Sequence, residues 1–181
     1  MPGPELPAFT RRIFLNRTLQ VLGATAATPL ASHVLHAEQG SGNSTATLAV
    51  LTASEYSALA AIAATMIPEG GAFALGARGV DLARRIDAYL PRQQLPVVTG
   101  IRGATAFTEQ QAPGLAGKKG FFSSLSESDR AAVLSAMLAA GGLPASVFLG
   151  LKSLCVVHFY TLDATWRHTG YDGPMLLEDR K

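Results

Sequence analysis

The sequence predicts an all-α protein, a small helical bundle of about five helices that follows an N-terminal signal segment. Three observations predict this class. Apolar residues recur at helical spacing along the body, residues typical of helix starts and stops punctuate it, and no stretch alternates long enough for a convincing strand. With 181 residues and 48% hydrophobic composition, the chain has room for one domain and a short extension.

The first helix is predicted to begin at Thr52, which forms a capping-box pair with Glu55 and is followed by an apolar stripe that ends before Pro68. The stripe consists of Tyr56, Leu59, Ala60, Ala63, Met66 and Ile67. A second helix is predicted from Asp81 to Leu90, and its apolar face consists of Leu82, Ile86, Tyr89 and Leu90.

A third helix is predicted within residues 93–110, although Gly100 and Gly103 weaken it. Its apolar side would consist of Leu95, Val98, Ile101 and Phe107. The following "APGLAGKKG" is predicted to be a loop. It is not a phosphate-binding loop, because Ala112 replaces the first glycine of that motif and Lys119 replaces its Ser or Thr.

Ser126 with Asp129 predicts the start of a fourth helix, which ends at Gly141-Gly142 and has Val133, Leu134, Met137 and Leu138 on its apolar face. Pro144 then suits the first turn of a fifth helix that runs to about Tyr160. A core stripe on this helix consists of Val147, Phe148, Leu151, Leu154, Cys155 and Phe159, while Leu149, Val156 and Val157 are apolar on the other side. Either another protein covers that second side, or this is the central helix of the bundle.

The segment "TRRIFLN", residues 10–16, places an arginine pair before a mildly apolar run. It resembles the twin-arginine export signal, with Arg11, Arg12, Phe14 and Leu15 at motif positions and Asn16 in place of lysine. We therefore predict a signal peptide at 1–37, a flexible spacer at 38–50 and a helical domain at 51–181. Residues 1–37 also carry the whole formal charge of +2, so the balanced body offers no basic patch for nucleic acid.

Cys155 is the single cysteine, and His158 follows it by one helical turn. A catalytic pair oriented by Asp163 or His168 is disfavoured, because a thiol inside an apolar stripe stays protonated. Cys155 is either a candidate for an intersubunit disulfide or a small buried hydrophobe. Dinucleotide and serine-hydrolase motifs are absent, and no metal-ligand spacing is recognisable, so the chain is not predicted to be an enzyme acting alone.

The densest aromatic grouping lies in "FYTLDATWRHTGYDGP", residues 159–174. Tyr and Trp in irregular backbone would supply a partner interface, or would cap the open end of the bundle. The interface candidates are Tyr160, Trp166, Gly170, Tyr171, Gly173 and Pro174.

Three segments, "LTASEYSALAAIAATMIP", "FFSSLSESDRAAVLSAML" and "HFYTLDATWRHTGYDGP", resemble the gluconate 2-dehydrogenase subunit 3 family, the small gamma-type subunits of FAD-dependent sugar dehydrogenases. The likeness covers roughly residues 49 to 175. It implies a helper without a cofactor of its own. Its partners would be a large FAD-binding subunit of the glucose–methanol–choline type, often a cytochrome c with c-type haem, and the twin-arginine translocase.

The resemblance implies that the chain escorts the folded flavoprotein to the periplasm, where the complex works, and that any association with the membrane is through the complex. A different class of function remains open from the sequence. The body could be a free-standing periplasmic module that binds a small apolar ligand inside the bundle.

Overall fold

The computed structural model describes residues 47–71 and 74–172, which form seven α-helices and two short 3-10 helices and contain no β-strand. The all-α prediction is confirmed. The α-helices are α1 (Ala53–Met66), α2 (Leu82–Tyr89), α3 (Leu95–Gln110), α4 (Ala112–Leu115), α5 (Glu127–Ala140), α6 (Gly142–Tyr160) and α7 (Asp163–Thr169). The 3-10 helices are Leu90–Arg92 and Phe122–Ser124. The predicted export residues Arg11, Arg12, Phe14 and Leu15 and the interface candidates Gly173 and Pro174 lie outside the described residues.

The five predicted helices correspond to α1, α2, α3, α5 and α6, and the predicted caps begin three of them. At α1, the Glu55 N–H donates to Thr52 Oγ1 at 3.3 Å, and the Thr52 N–H donates to Glu55 Oε2 at 2.9 Å. Ser126 accepts the Asp129 N–H at the start of α5 in the same way, at 3.2 Å. These side chains satisfy amide groups that the first helical turn leaves unpaired.

Asp81 begins α2 from a left-handed backbone conformation with φ of 45°. Asp tolerates this region better than most residues because its short side chain bonds locally. Here its carboxylate accepts the Arg84 N–H at 3.3 Å and the Tyr56 hydroxyl at 2.7 Å. The contact with Tyr56 joins α2 to α1.

The core is arranged around α6, which packs against α1, α2, α3, α5 and α7. One buried stripe of α6 faces these neighbours, with residues four apart: Val147, Leu151, Cys155 and Phe159. The largest side chains packed with it are Phe122, Leu59, Ile62, Leu82, Ile86, Leu90 and Met137. The predicted core stripe of α6 therefore lies in the core, with Phe148 and Leu154 partly buried beside it.

Two segments differ from the sequence prediction. "APGLAGKKG" was predicted to be a loop, but Ala112–Leu115 forms α4, with Pro113 in its first turn where no amide donor is needed. Residues 159–174 were predicted to be irregular, but α7 occupies Asp163–Thr169. Its first turn contains Asp163 and its last turn contains Arg167 and His168, which matches the helix dipole.

Two residues of the predicted apolar faces are not in the core. Leu95 is 76% exposed at the start of α3, and Leu138 is exposed on α5. The buried side of α3 instead contains Ala104, Thr105 and Thr108. Both threonine hydroxyls donate to carbonyls one turn earlier, at 2.9 Å each, so they are buried without an unsatisfied polar group.

Candidate functional site

The second side of α6 is apolar and largely uncovered within the described chain. Leu149 is 40% exposed, Val157 is 59% exposed and Tyr160 is 45% exposed. The spacing of Leu149, half-buried Val156 and Tyr160 places these three on one stripe, opposite the buried one. With Tyr171, which is 48% exposed just after α7, the exposed residues Leu149, Val157 and Tyr160 define what we call the C-terminal apolar surface.

The corner between α6 and α7 is held by Thr165, which is fully buried. Its hydroxyl donates to the Leu162 carbonyl at 2.7 Å, with a longer contact of 3.3 Å to the Phe159 carbonyl. The Thr165 N–H also donates to Leu162 O, at 2.9 Å. These bonds satisfy the carbonyls of Phe159, in the last turn of α6, and of Leu162, just before α7, and they hold the turn between the two helices.

Gly170 ends α7 in the left-handed conformation, with φ of 70°. This lets the Tyr171 N–H donate back to the Trp166 carbonyl at 3.1 Å, a helix ending that favours glycine. The Trp166 and Tyr171 rings consequently meet edge to face, with centroids 5.3 Å apart. The glycine thus gathers two predicted interface aromatics into one contact.

Of the predicted interface residues, Trp166, Gly170 and Tyr171 lie together at the end of α7, and Tyr160 lies at the end of α6. Leu149 and Val157 extend the exposed apolar area along α6, on the side for which the sequence left open a cover by another protein. The sequence signal for both residues was their apolar character at positions outside the core stripe. Thr165 was missed, because a threonine that closes a helix corner has no distinctive sequence pattern.

Cys155 is fully buried on the inner stripe of α6. Burial raises the pKa of its thiol to about 12, so the thiol is protonated at neutral pH and is a poor nucleophile. Burial also lowers the pKa of His158, helped by the nearby positive charge of Arg85, and the imidazole packs edge-on to Tyr89 with ring centroids 4.6 Å apart. An intersubunit disulfide at Cys155 stays a prediction, and it would require the sulfur to leave the core.

Two of the grooves that border α1 in the described residues lie near its C-terminal end. One, of about 250 Å³, lies against α5 and α6 and has an apolar floor of Met66, Leu134, Leu138 and Phe148 with Lys152 at its edge. The other, of about 180 Å³, is polar and is lined by Glu69, Arg78, Glu127 and Arg130. Its two acidic and two basic groups balance, so its charge selects neither an anion nor a cation.

Within residues 47–71 and 74–172, no three His, Cys, Asp or Glu side chains lie close enough to hold a metal ion. In the same part of the chain, α6 is the one helix long and apolar enough to cross a membrane. Of its 18-residue apolar stretch, 22% is buried inside the protein. Core helices of soluble proteins meet the same criteria, so this is weak evidence for a membrane span.

Comparison with known proteins returns no match to a family model, to a curated protein or to a solved structure. The likeness to gamma-type dehydrogenase subunits therefore rests on the segments quoted from the sequence, and the fold rests on the helices described above.

Proposed function

We propose that this chain is the non-catalytic small subunit of a periplasmic FAD-dependent sugar dehydrogenase. It binds the folded flavin-containing subunit, stabilises it and supplies its twin-arginine signal. The chain holds no cofactor in this proposal, and FAD belongs to its partner. A cytochrome c that accepts the electrons completes the complex.

The C-terminal apolar surface is the observation that carries the proposal. Leu149, Val157, Tyr160 and Tyr171 are each at least 40% exposed; the first three lie on the outer side of α6, and Tyr171 follows α7. Exposed apolar groups gathered in this way are typical of a protein interface, and tyrosine adds large contact area with a polar end. A partner that covers this surface removes apolar area from water, which favours a stable complex.

The arginine pair fits the same role. A flavoprotein that has already taken up FAD cannot be threaded unfolded across a membrane without losing its cofactor. A folded-protein route solves this, provided one member of the complex carries the address. Arg11 and Arg12 would be that address for both subunits.

The export test uses cells that express both subunits and compares Arg11→Lys/Arg12→Lys with Arg17→Lys, a third leader arginine outside the pair. The double variant should leave the flavin-containing subunit in the cytoplasm, and Arg17→Lys should export it normally. The readout is flavin-dependent dehydrogenase activity in the periplasmic fraction. Normal periplasmic activity with the double variant would contradict the escort role.

The binding test compares exposed apolar residues on different helices. Val157→Asn lies on the C-terminal apolar surface, and Leu95→Asn changes an even more exposed residue on α3. Val157→Asn should weaken co-purification of the flavoprotein by about tenfold or more, as for a buried interface residue. Leu95→Asn should leave it unchanged, and equal effects of the two changes would remove the surface from the proposal.

A ligand-binding module is the second candidate, favoured by the apolar groove of Met66, Leu134, Leu138 and Phe148. On this candidate, Leu138→Asn would abolish binding of a small apolar ligand in that groove. A pull-down scanned for flavin absorbance separates the candidates, because a free-standing module captures no flavoprotein.

A further inference from the structure

Two carboxylates hold the chain where it enters the described body. The N–H groups of four consecutive residues, 49 to 52, all donate to carboxylate oxygens. Asp87 accepts three of them: Ala49 at 2.6 Å, Val50 at 3.0 Å and Leu51 at 2.8 Å. Glu55 accepts the fourth, from Thr52, at 2.9 Å. Charge-assisted bonds of this kind are stronger than neutral ones.

The two acceptors belong to different helices. Asp87 is on α2 and is 2% exposed, and Glu55 is on α1. Glu55 is further held by Arg102 of α3, whose Nε lies 2.7 Å from Glu55 Oε1. The three bonds to Asp87 therefore form only when α2 is packed beside the start of α1, whereas the Thr52–Glu55 bond is local to the first turn of α1 and is linked to α3 by Arg102.

The charge state of both groups agrees with this geometry. Burial raises the pKa of Asp87, but the three backbone donors outweigh it, and the pKa lies below its ordinary value. Burial likewise raises the pKa of Glu55, but the bonds from Arg102 and Thr52 lower it by more. The net result is again a pKa below the ordinary value. Both side chains are therefore anionic acceptors at neutral pH.

We infer that Asp87 and Glu55 form a fold-dependent anchor that couples the N-terminal segment to the assembled state of the body. Leu51 is buried in the core beneath the anchor, so the junction is fixed by packing as well as by the four bonds. When α2 separates from the junction, residues 49–51 lose their acceptor and the junction becomes accessible to proteases. A chain whose helices have not assembled is then open to cleavage there, and the consequence for export rests on the proposed function.

The test uses the full chain alone and compares Asp87→Asn and Glu55→Gln with a matched control, Glu109→Gln. Glu109 also accepts a backbone N–H across two elements, from Ser123 at 3.0 Å, but it lies away from the junction. The readouts are amide hydrogen exchange at residues 49–52 and the rate of limited proteolysis within residues 47–52. Both report local opening rather than only global unfolding.

Asp87→Asn should speed both readouts by about tenfold, which corresponds to about 1.4 kcal/mol of opening free energy. Glu55→Gln should have the same direction with a smaller size, because it removes the charge behind one bond of the four. Glu109→Gln should leave the junction unchanged. If Asp87→Asn does not fold, hydrogen exchange and proteolysis of Glu55→Gln and of the unaltered chain still test the anchor.

Two results would overturn the anchor. One is exchange at 49–52 in the unaltered chain as fast as in an unstructured peptide. The other is a junction response to both anchor variants no larger than that of Glu109→Gln. Because no flavoprotein is present, a working anchor in a chain that fails the export test would leave this inference standing and remove only the proposed function.

Discussion

The two ends of the described body differ in how they are completed. At the N-terminal anchor, four backbone donors find carboxylate acceptors inside the chain, and Leu51 is buried beneath them. At the C-terminal apolar surface, Leu149, Val157, Tyr160 and Tyr171 keep much of their area in water. In the first region, the chain itself supplies the hydrogen-bond acceptors and covers the apolar side chain. The second region still has apolar area that another surface could cover.

This difference separates residues that stabilise the fold from residues available for association. Replacing a buried polar group that is hydrogen-bonded, or a buried apolar side chain, lowers the stability of the fold. Exposed apolar side chains contribute little to the isolated fold, yet they can contribute much once a partner covers them. Substitutions at the two ends should therefore affect different measurements.

The largest effect is expected within α6 itself, between its two sides. Leu151→Ala removes a buried side chain of the inner stripe and should lower the free energy of unfolding by about 3 kcal/mol. Leu149→Ala, on the outer side, should lower it by less than about 1 kcal/mol. Urea denaturation of the isolated chain measures both. Similar losses would mean that the outer side is packed as tightly as the core.

Next in size is Asp87→Ala, which leaves the N–H groups of Ala49, Val50 and Leu51 without their acceptor. We expect a loss of about 2 kcal/mol, since solvent replaces part of the lost bonding. Asp129→Ala is the control, because Asp129 pairs with Lys118 at the surface, where solvent screens the ion pair, and its loss should be much smaller. A loss for Asp87→Ala as small as for Asp129→Ala would contradict the anchor's contribution to stability.

A smaller effect is expected at the corner between α6 and α7. Thr165→Val removes the buried hydroxyl that bonds to Leu162 and should cost about 1 kcal/mol. Thr161→Val removes a hydroxyl that bonds to Val157 in an exposed position and should cost less than about 0.5 kcal/mol. Thermal unfolding resolves the pair, and a reversed order would show that Thr165 is not the residue that fixes the corner.

The last expected effect is the pH dependence of the stabilisation by Asp87, which is small near neutral pH and appears only in acid. Because the folded pKa of Asp87 lies below its ordinary 3.8, its carboxylate stabilises the fold above that value, and the contribution is lost as pH falls through the folded pKa. The stability difference between the unaltered chain and Asp87→Asn should be constant from pH 7 to about 5. It should shrink below about pH 4. A difference that does not shrink in acid would contradict the role of the charge.

Local signals were enough to predict most of the helices. Thr52, Asp81 and Ser126 begin helices as their side chains indicate, because capping is decided by neighbours within one turn. The inner stripe of α6 also followed from spacing alone. Leu95 and Leu138 were wrongly predicted to lie in the core. Periodicity indicates which residues share a face of a helix, but it does not indicate how far along that face a neighbouring helix extends.

The candidate site was only partly predictable, for the same reason. Tyr160, Trp166 and Tyr171 were recognisable as aromatics among turn residues, but the helix between them was missed because Gly170 ends it so soon after Asp163. Asp87 gave no signal at all. Its three partners are 36 to 38 residues away in the chain, and contacts at that separation are set by how α2 packs and not by any local pattern.

The position of Trp166 has a practical consequence. It is the single tryptophan of the chain, it is half-buried, and its ring rests against Tyr171 next to the exposed apolar residues. The fluorescence of the native molecule therefore reports on this one region without any attached dye. A partner that covers this region would change the surroundings of the indole, and a shift in its emission would report that docking.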